Sequence, residues 1–192
     1  VNKNTRAGDD VYTISEAATN FIWDGYGTDT IDASALSEEA TIHLSPGHHD
    51  FVGTSANALI TAAGQVTVNF STEIENLIGS AFSDKLYGNE LNNDITGGLG
   101  GDTIDGGSGI DQAVYTENFT DVSLVKSETV WNITSGADKD TLSNIERLKF
   151  NDKHIALDLD GNAGKTVKLL GLLLGKDQAT NKTYVGAGIK LL

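Results

Sequence analysis

Four consecutive nine-residue blocks repeat one pattern of glycine, oxygen-bearing and apolar residues. They start at Gly79 and read GSAFSDKLY, GNELNNDIT, GGLGGDTID and GGSGIDQAV. The sixth position of the blocks always carries a side-chain oxygen: Asp84, Asn93, Asp102 and Asp111. The eighth is always apolar: Leu86, Ile95, Ile104 and Ala113. The period matches G-G-x-G-x-D-x-U-x, where U is a large apolar residue, which is the pattern of a calcium-binding parallel β-helix.

The chemistry of these blocks favours a hard cation. Glycine lets a short loop turn sharply and direct several backbone carbonyls toward one point. The aspartate that ends each loop adds an anionic oxygen. Calcium takes about six to eight oxygen ligands with flexible geometry, whereas zinc and copper prefer nitrogen or sulfur. The loops therefore predict bound Ca²⁺.

The nine-residue spacing also predicts which loops lie together. Two loops and two short strands form one coil, so loops two blocks apart share an edge of the stack. This pairs the loop of Asp84 with that of Asp102, and the loop of Asn93 with that of Asp111. The alternative is a set of glycine- and asparagine-rich turns without metal, which explains the glycines but leaves the strict period unexplained.

The blocks resemble the RTX, or hemolysin-type, repeats of bacterial proteins exported by type I secretion. The preceding segment is similar to the C-terminal domain of serralysin-type (M10) secreted metalloproteases. The resemblance covers about residues 5 to 114 and rests on stretches that occur in the family's order: TRAGDDVY, FIWDGYGTDTIDASAL, TIHLSPGHHDFVG and TEIENLIGSAFSD.

The resemblance implies two sites within the repeats, each built from backbone carbonyls and two side chains of paired loops. The first implied site comprises Ser80, Phe82, Asp84, Gly97, Leu99 and Asp102. The second comprises Asn89, Leu91, Asn93, Gly106, Ser108 and Asp111. The loop with Gly98, Gly100 and Asp102 could begin a further site, although no repeat follows there. Phe82 and Leu91 replace the usual glycine, and Asn93 replaces a carboxylate.

The resemblance also implies calcium sites ahead of the repeats. One would use Arg6, Gly8, Asp10, Asp24, Tyr26 and Asp29. A neighbouring site would use Gly27, Asp29, Glu73 and Glu75. Independently of the family, two aspartates flanking a Gly-Tyr-Gly turn make a plausible cation loop. The alternative is an acidic turn beside a solvated pair of glutamates.

Composition narrows the classes of partner. The chain has 192 residues with 27 acidic and 13 basic side chains, for a net charge of -14. Nucleic acid is therefore an unfavourable partner, and no apolar run is long enough to span a bilayer. The absence of cysteine excludes disulfides and thiol chemistry. The chain begins at Val1 and contains no methionine, so we expect it to be an excised fragment.

The expected fold is all-β: a parallel β-roll or β-helix of RTX repeats flanked by β-rich segments, with a short helical C-terminal tail. We divide the chain into a serralysin-like first part of the roll (1–78), the repeats (79–114), a β-rich cap (115–163) and the tail (164–192). The tail either packs on the β core or begins a truncated helical module. Hydrophobic side chains expected to close the stack are Val122, Leu124, Trp131, Ile133, Leu148 and Phe150.

The residues point away from catalysis. His48, His49 and Asp50 suggest a transition-metal site, but they lie in an expected loop without a third ligand at metal spacing, so we do not predict one. The HExxH motif of metalloproteases is absent from the sequence, and no Ser-His-Asp set has a supporting context.

The expected function is a calcium-binding module of a type I-secreted extracellular protein, which folds on calcium outside the cell. Its implied partners are calcium ions and the type I secretion apparatus. One alternative is the non-catalytic C-terminal domain of a secreted metalloprotease or other hydrolase. Another is a structural element of an adhesin or surface layer.

We predict that the chain alone has no hydrolytic activity, because no catalytic set is assembled in the sequence. Casein, lipid-ester and polysaccharide assays with calcium and zinc present should give background rates. Reproducible turnover that a single point substitution abolishes would contradict this prediction.

Overall fold

The computed structural model describes residues 6–158 and 164–165. In this part of the chain nearly all regular structure is short β-strand. The first eight strands are β1 (Val11–Thr13), β2 (Asn20–Ile22), β3 (Thr30–Asp32), β4 (Ala40–His43), β5 (Asp50–Val52), β6 (Gln65–Val68), β7 (Asn76–Ile78) and β8 (Lys85–Asn89). The remaining strands are β9 (Asp94–Thr96), β10 (Thr103–Gly107), β11 (Gln112–Val114), β12 (Ser123–Ser127), β13 (Val130–Ser135), β14 (Asp138–Ser143), β15 (Arg147–Lys149) and β16 (His154–Ala156). A 3-10 turn covers Phe119–Asp121.

These strands form two sheets, and from β7 to β11 the chain alternates strictly between them. One sheet has the order β1-β3-β7-β9-β11-β15-β16, and the other β12-β13-β14-β10-β8-β4-β5-β6-β2. Within the repeats, β8 pairs in parallel with β10, and β9 with β11. Strands two blocks apart are therefore neighbours, which confirms the expected coil. The all-β parallel roll is confirmed as well.

The apolar column of the repeats forms the centre of the core. One in-register row crosses the larger sheet through Ile42, Leu86, Ile104 and Leu142. A second row crosses the smaller sheet through Ile31, Leu77, Ile95, Ala113 and Leu148. All nine side chains are fully buried and belong to one hydrophobic cluster. A three-residue strand thus contributes one central side chain to the core, and stacking makes the core continuous.

Antiparallel strands close the C-terminal end of the stack. The β12–β13 hairpin pairs with β14, and β15 pairs with β16. Of the residues expected in this cap, three are buried and three pack partly buried against the core: Ile133, Leu148, Phe150, Val122, Leu124 and Trp131. This arrangement covers strand edges that parallel coils would leave open.

The segment boundaries proposed from the sequence stay predictions, because strands of adjoining segments share the same sheets. The helical tail predicted for 164–192 lies outside the described residues, apart from Gly164 and Lys165. In the described part of the chain, no helix has both the length and the hydrophobicity needed to cross a membrane.

Candidate metal centre

The paired loops of the repeats are joined by hydrogen bonds from backbone to carboxylate. The amide of Asp84 donates to Oδ1 of Asp102 at 2.9 Å. On the other edge, the amide of Asn93 donates to Oδ1 of Asp111 at 2.8 Å. Both loop pairs predicted from the spacing are therefore confirmed.

The same bond recurs on both sides of the four repeats. Downstream, the amides of Asp102 and Asp111 donate to Oδ1 of Asp140 and Oε2 of Glu146, each at 2.9 Å. Upstream, the donor and acceptor pairs are Asp10 and Asp29, Asp29 and Glu75, and Ala40 and Asp84, at 2.7 to 2.8 Å. We call this series the carboxylate ladder. It extends the acidic turns well beyond the glycine-rich blocks.

Asp140 and Glu146 are members of the ladder that our sequence analysis missed. The sequence signal that could have identified them is an acidic residue two positions before a leucine or isoleucine, and that apolar residue is fully buried in the structure. Asp140 precedes Leu142 by two positions and Glu146 precedes Leu148, as Asp102 precedes Ile104. The spacing works because side chains alternate along an extended segment, so the acid and the second following residue lie on the same side of the chain.

Several ladder carboxylates have one oxygen that is buried without a hydrogen-bond partner. These atoms are Oδ2 of Asp29, Asp102 and Asp111. In each case Oδ1 accepts the amide of the preceding coil, so only one side of the carboxylate is satisfied. A buried charged oxygen without a partner is costly, and a cation is the ligand that would remove the cost.

Burial raises the pKa values of the ladder carboxylates. Desolvation raises the pKa of Asp29 to about 6, despite the opposing hydrogen bond from the Asp10 amide. It raises the pKa of Asp102 and of Asp111 to about 7 each. Burial also raises the pKa of Asp84 and Asp140. The turns therefore disfavour the ionised carboxylates unless positive charge is supplied.

The backbone of each loop closely approaches the carbonyl oxygens of its partner. Gly98 has a left-handed φ of 104°, and a Cβ atom there would lie only 1.9 Å from the Ser80 carbonyl oxygen. A Cβ at Gly79 would lie 2.2 Å from the Gly97 carbonyl oxygen and 2.8 Å from Oδ2 of Asp84. These positions accept only glycine, since any side chain would occupy the space between the oxygens.

The first implied ligand set is thus brought together around a carbonyl-lined turn. Oδ1 of Asp102 reaches the Asp84 amide, while Oδ2 of Asp84 accepts the Ser80 amide at 2.6 Å. The side chains of Phe82 and Leu99 are exposed, as expected if only their backbone carbonyls face the turn.

The residues of the second implied site also lie together, but the polar atoms of the Asn93 side chain already have hydrogen-bond partners within the protein. Oδ1 of Asn93 accepts the Asn89 amide at 2.8 Å, and its Nδ2 donates to the Glu75 carbonyl oxygen at 3.1 Å. The Asn89 carbonyl oxygen accepts the Ser108 amide at 2.9 Å. The backbone of Leu91 lies against Gly109, and that of Asn144 against Gly106. The Asn93 side chain therefore uses its oxygen and nitrogen in hydrogen bonds within the protein, whereas a carboxylate at this position would offer a charged oxygen to a cation.

The N-terminal acidic turn brings three carboxylates together. One oxygen each of Asp10, Asp24 and Asp29 lies within 4.8 Å of the others. The Arg6 carbonyl oxygen accepts the amides of Gly25 and Tyr26, both at 3.3 Å. A Cβ at Gly27 would lie 2.3 Å from the Gly8 carbonyl oxygen.

The neighbouring predicted site is assembled in part. Oε2 of Glu75 accepts the Asp29 amide at 2.8 Å, which places this glutamate beside the acidic turn. The Glu73 side chain and the Tyr26 ring are exposed. Whether the predicted residues bind metal stays a prediction, but the carbonyl and carboxylate donors suit a hard divalent cation.

The structure corrects our reason for dismissing a site at His48, His49 and Asp50. A further candidate ligand is present, because one donor atom each of His43, His48 and Asp50 lies within 4.8 Å of the others. We missed His43 in the sequence because it ends the preceding strand and approaches His48 only through the fold of the turn.

A stack of parallel coils joined by a carboxylate ladder defines a β-roll whose turns are lined by carboxylate and carbonyl oxygens. Comparison with known families agrees: the model of the C-terminal domain of peptidase M10, serralysin, matches residues 1–177. The chain belongs to this serralysin C-terminal family.

A curated relative places the family in context. The chain is 32% identical over 108 residues to the metallopeptidase AprA of Pseudomonas marginalis. The match covers 49% of this chain and 21% of that protein, so the chain matches about a fifth of its relative's length.

We predict that acidification stabilises the calcium-free chain. The raised pKa values of Asp29, Asp102 and Asp111 mean that the folded state binds more protons than the unfolded state between about pH 7 and pH 4. Stability should therefore rise as the pH falls through this window. Far-UV circular dichroism of exhaustively chelated and dialysed protein at about pH 8 and pH 5.5 measures it.

The matched control is Asp102→Asn, which removes one titrating group and should flatten the pH dependence. A folded fraction that decreases monotonically from pH 8 to pH 5.5 would contradict the prediction.

Proposed function

We propose that the chain is a calcium-dependent folding module, and that it serves as the non-catalytic C-terminal domain of a secreted metalloprotease-type protein. The observation that carries the proposal is the set of buried carboxylate oxygens without partners at Asp29, Asp102 and Asp111. Membership of the serralysin C-terminal family and the likeness to a metallopeptidase support the second half.

Calcium suits these turns better than its competitors. The donors are backbone carbonyls and carboxylates, which favour calcium or magnesium over zinc or copper. The carbonyls come from loops of two different coils, so their geometry is set by the stacking of the backbone. Magnesium requires a near-ideal octahedron at about 2.0–2.1 Å and gives up its water reluctantly, whereas calcium accepts irregular cages.

Bound calcium supplies the positive charge that the buried oxygens lack. The chain itself provides a net charge of -14 and a ladder in which carboxylates lie one coil apart. Without neutralisation the coils repel one another, so stacking and neutralisation are coupled. Folding would then depend on the calcium concentration around the chain.

This coupling fits a protein that is exported before it folds. Inside a cell, low free calcium would leave the ladder repulsive and the chain unfolded enough for a type I secretion channel. Outside, extracellular modules with calcium affinities of about 10⁻⁴–10⁻³ M would be loaded. Binding energy then becomes folding energy. Secretion and extracellular location are part of the proposal.

We predict that folding is linked to calcium. Removal of calcium with EGTA should lower the melting temperature strongly or abolish the β signal in far-UV circular dichroism, and added magnesium should not restore it. A melting curve that does not change in EGTA would refute the calcium-dependent half of the proposal.

A reciprocal pair of substitutions tests the ladder at single residues. Asp102→Asn keeps an acceptor for the Asp84 amide but removes the charge, so the calcium midpoint for folding should rise by roughly tenfold or more. Asn93→Asp adds a carboxylate at the one sixth position of the repeats that lacks it. It should destabilise the calcium-free chain and lower the calcium midpoint.

The exposed acid Asp121, in the 3-10 turn outside the ladder, provides the control, and Asp121→Asn should leave the midpoint unchanged. Equal midpoints for Asp102→Asn and Asp121→Asn would show that the ladder does not bind the cation.

A further inference from the structure

A group of nitrogen donors lies outside the carboxylate ladder, where β4 turns toward β5. His43 is the last residue of β4, Asp50 is the first of β5, and His48 lies in the turn between them. His43 alternates with the fully buried Ile42 and Leu44, so its ring lies on the face of the larger sheet opposite the core.

The buried Asp50 holds His43 in one orientation. Its Oδ1 lies 2.6 Å from Nδ1 of His43, and its Oδ2 accepts the His43 backbone amide at 2.8 Å. Because a carboxylate accepts hydrogen bonds, this contact assigns the proton of the neutral ring to Nδ1. The lone pair of Nε2 is then available to a metal, and a carboxylate bonded to the far nitrogen is the usual partner of a metal-binding histidine.

The second imidazole is already beside the first. The His48 ring stacks on the His43 ring with centroids 4.0 Å apart and planes at 3°. Tyr87 of β8 stacks on the other face of His43 at 4.1 Å, which leaves His43 between two rings. His48 is the more exposed of the two histidines, so its ring is the one that has room to rotate.

We propose that His43 and His48 form a binding site for a divalent transition-metal ion of the zinc, cobalt or nickel type, with Asp50 as the positioning residue. Nε2 of His43 and one nitrogen of His48 bind the ion, and water completes its coordination. Imidazole nitrogen suits these ions and is a poor ligand for calcium, so the site is chemically distinct from the acidic turns.

The required rearrangement is small. Lone pairs of two stacked rings point along parallel planes and do not converge on one ion, so the His48 ring must leave the stack. Tetrahedral ligands with bonds of about 2.0–2.1 Å lie about 3.4 Å apart. One ring nitrogen of His43 and one of His48 already lie within 4.8 Å of each other. Rotation of one exposed side chain can close this gap without moving a strand.

The experiment titrates Co²⁺ into tag-free protein in saturating calcium, so that oxygen sites are already filled. A shift and intensification of the visible Co²⁺ bands relative to the aqua ion report nitrogen coordination, and Zn²⁺ is then added to displace the cobalt. We expect one equivalent of Co²⁺ to bind and Zn²⁺ to compete for it. A spectrum that stays that of the aqua ion up to millimolar metal would overturn the proposal.

Variants identify the ligands. His48→Ala should weaken Co²⁺ binding at least tenfold with an unchanged far-UV spectrum, because His48 is exposed. Asp50→Asn should weaken it by about tenfold or more while the band positions of the remaining complex stay the same. If Asp50→Asn unfolds the turn, the His48 variant still decides the outcome.

Two histidines serve as matched controls. His49 lies in the same turn and His154 is exposed on β16, and His49→Ala and His154→Ala should both leave Co²⁺ affinity unchanged. Equal loss in His154→Ala would indicate diffuse surface binding. Loss in His49→Ala, or full binding in His48→Ala, would overturn the assignment of His48 as a ligand.

Discussion

One hydrogen bond, from a turn amide to a carboxylate of the next coil, is the constraint on which the rest of the structure depends. It sets the register between neighbouring turns, for example between Asp84 and Asp102. Because the buried apolar residue follows the acid by two positions, the same bond aligns Leu86 with Ile104 in the core. Core packing and the geometry of the turns are therefore specified together.

This constraint has an electrostatic cost that a hydrophobic core would not have. Each coil of the repeats adds two buried apolar side chains and at least one desolvated carboxylate to the stack. The apolar row stabilises the fold at any salt concentration, whereas the carboxylates stabilise it only when their charge is neutralised. Under the proposed function, the calcium concentration around the chain would decide whether the coils stack.

The periodic part of this arrangement could be predicted from the sequence, while contacts formed outside the period could not. Loop pairing follows from nine-residue spacing alone, and the structure confirms it for both pairs. Asp140 and Glu146 lie where the glycine pattern has ended, so only the acid and the apolar residue two positions later remained to indicate them. His43 was missed because its partners approach through a strand and a turn whose conformation the repeat does not specify.

The ladder also has a direction. In every rung described above, the donor amide precedes its acceptor carboxylate in the chain: Asp10 bonds to Asp29, Asp84 to Asp102, and Asp111 to Glu146. The two ends of the stack are therefore not equivalent. A chain shortened from its N-terminus loses donors and uncovers a carboxylate that water can solvate. A chain shortened from its C-terminus instead leaves the final retained turn without the acid that orders its amide. Truncations of similar length at the two ends would therefore leave chemically different surfaces: a solvated carboxylate at one end and an unpaired turn amide at the other.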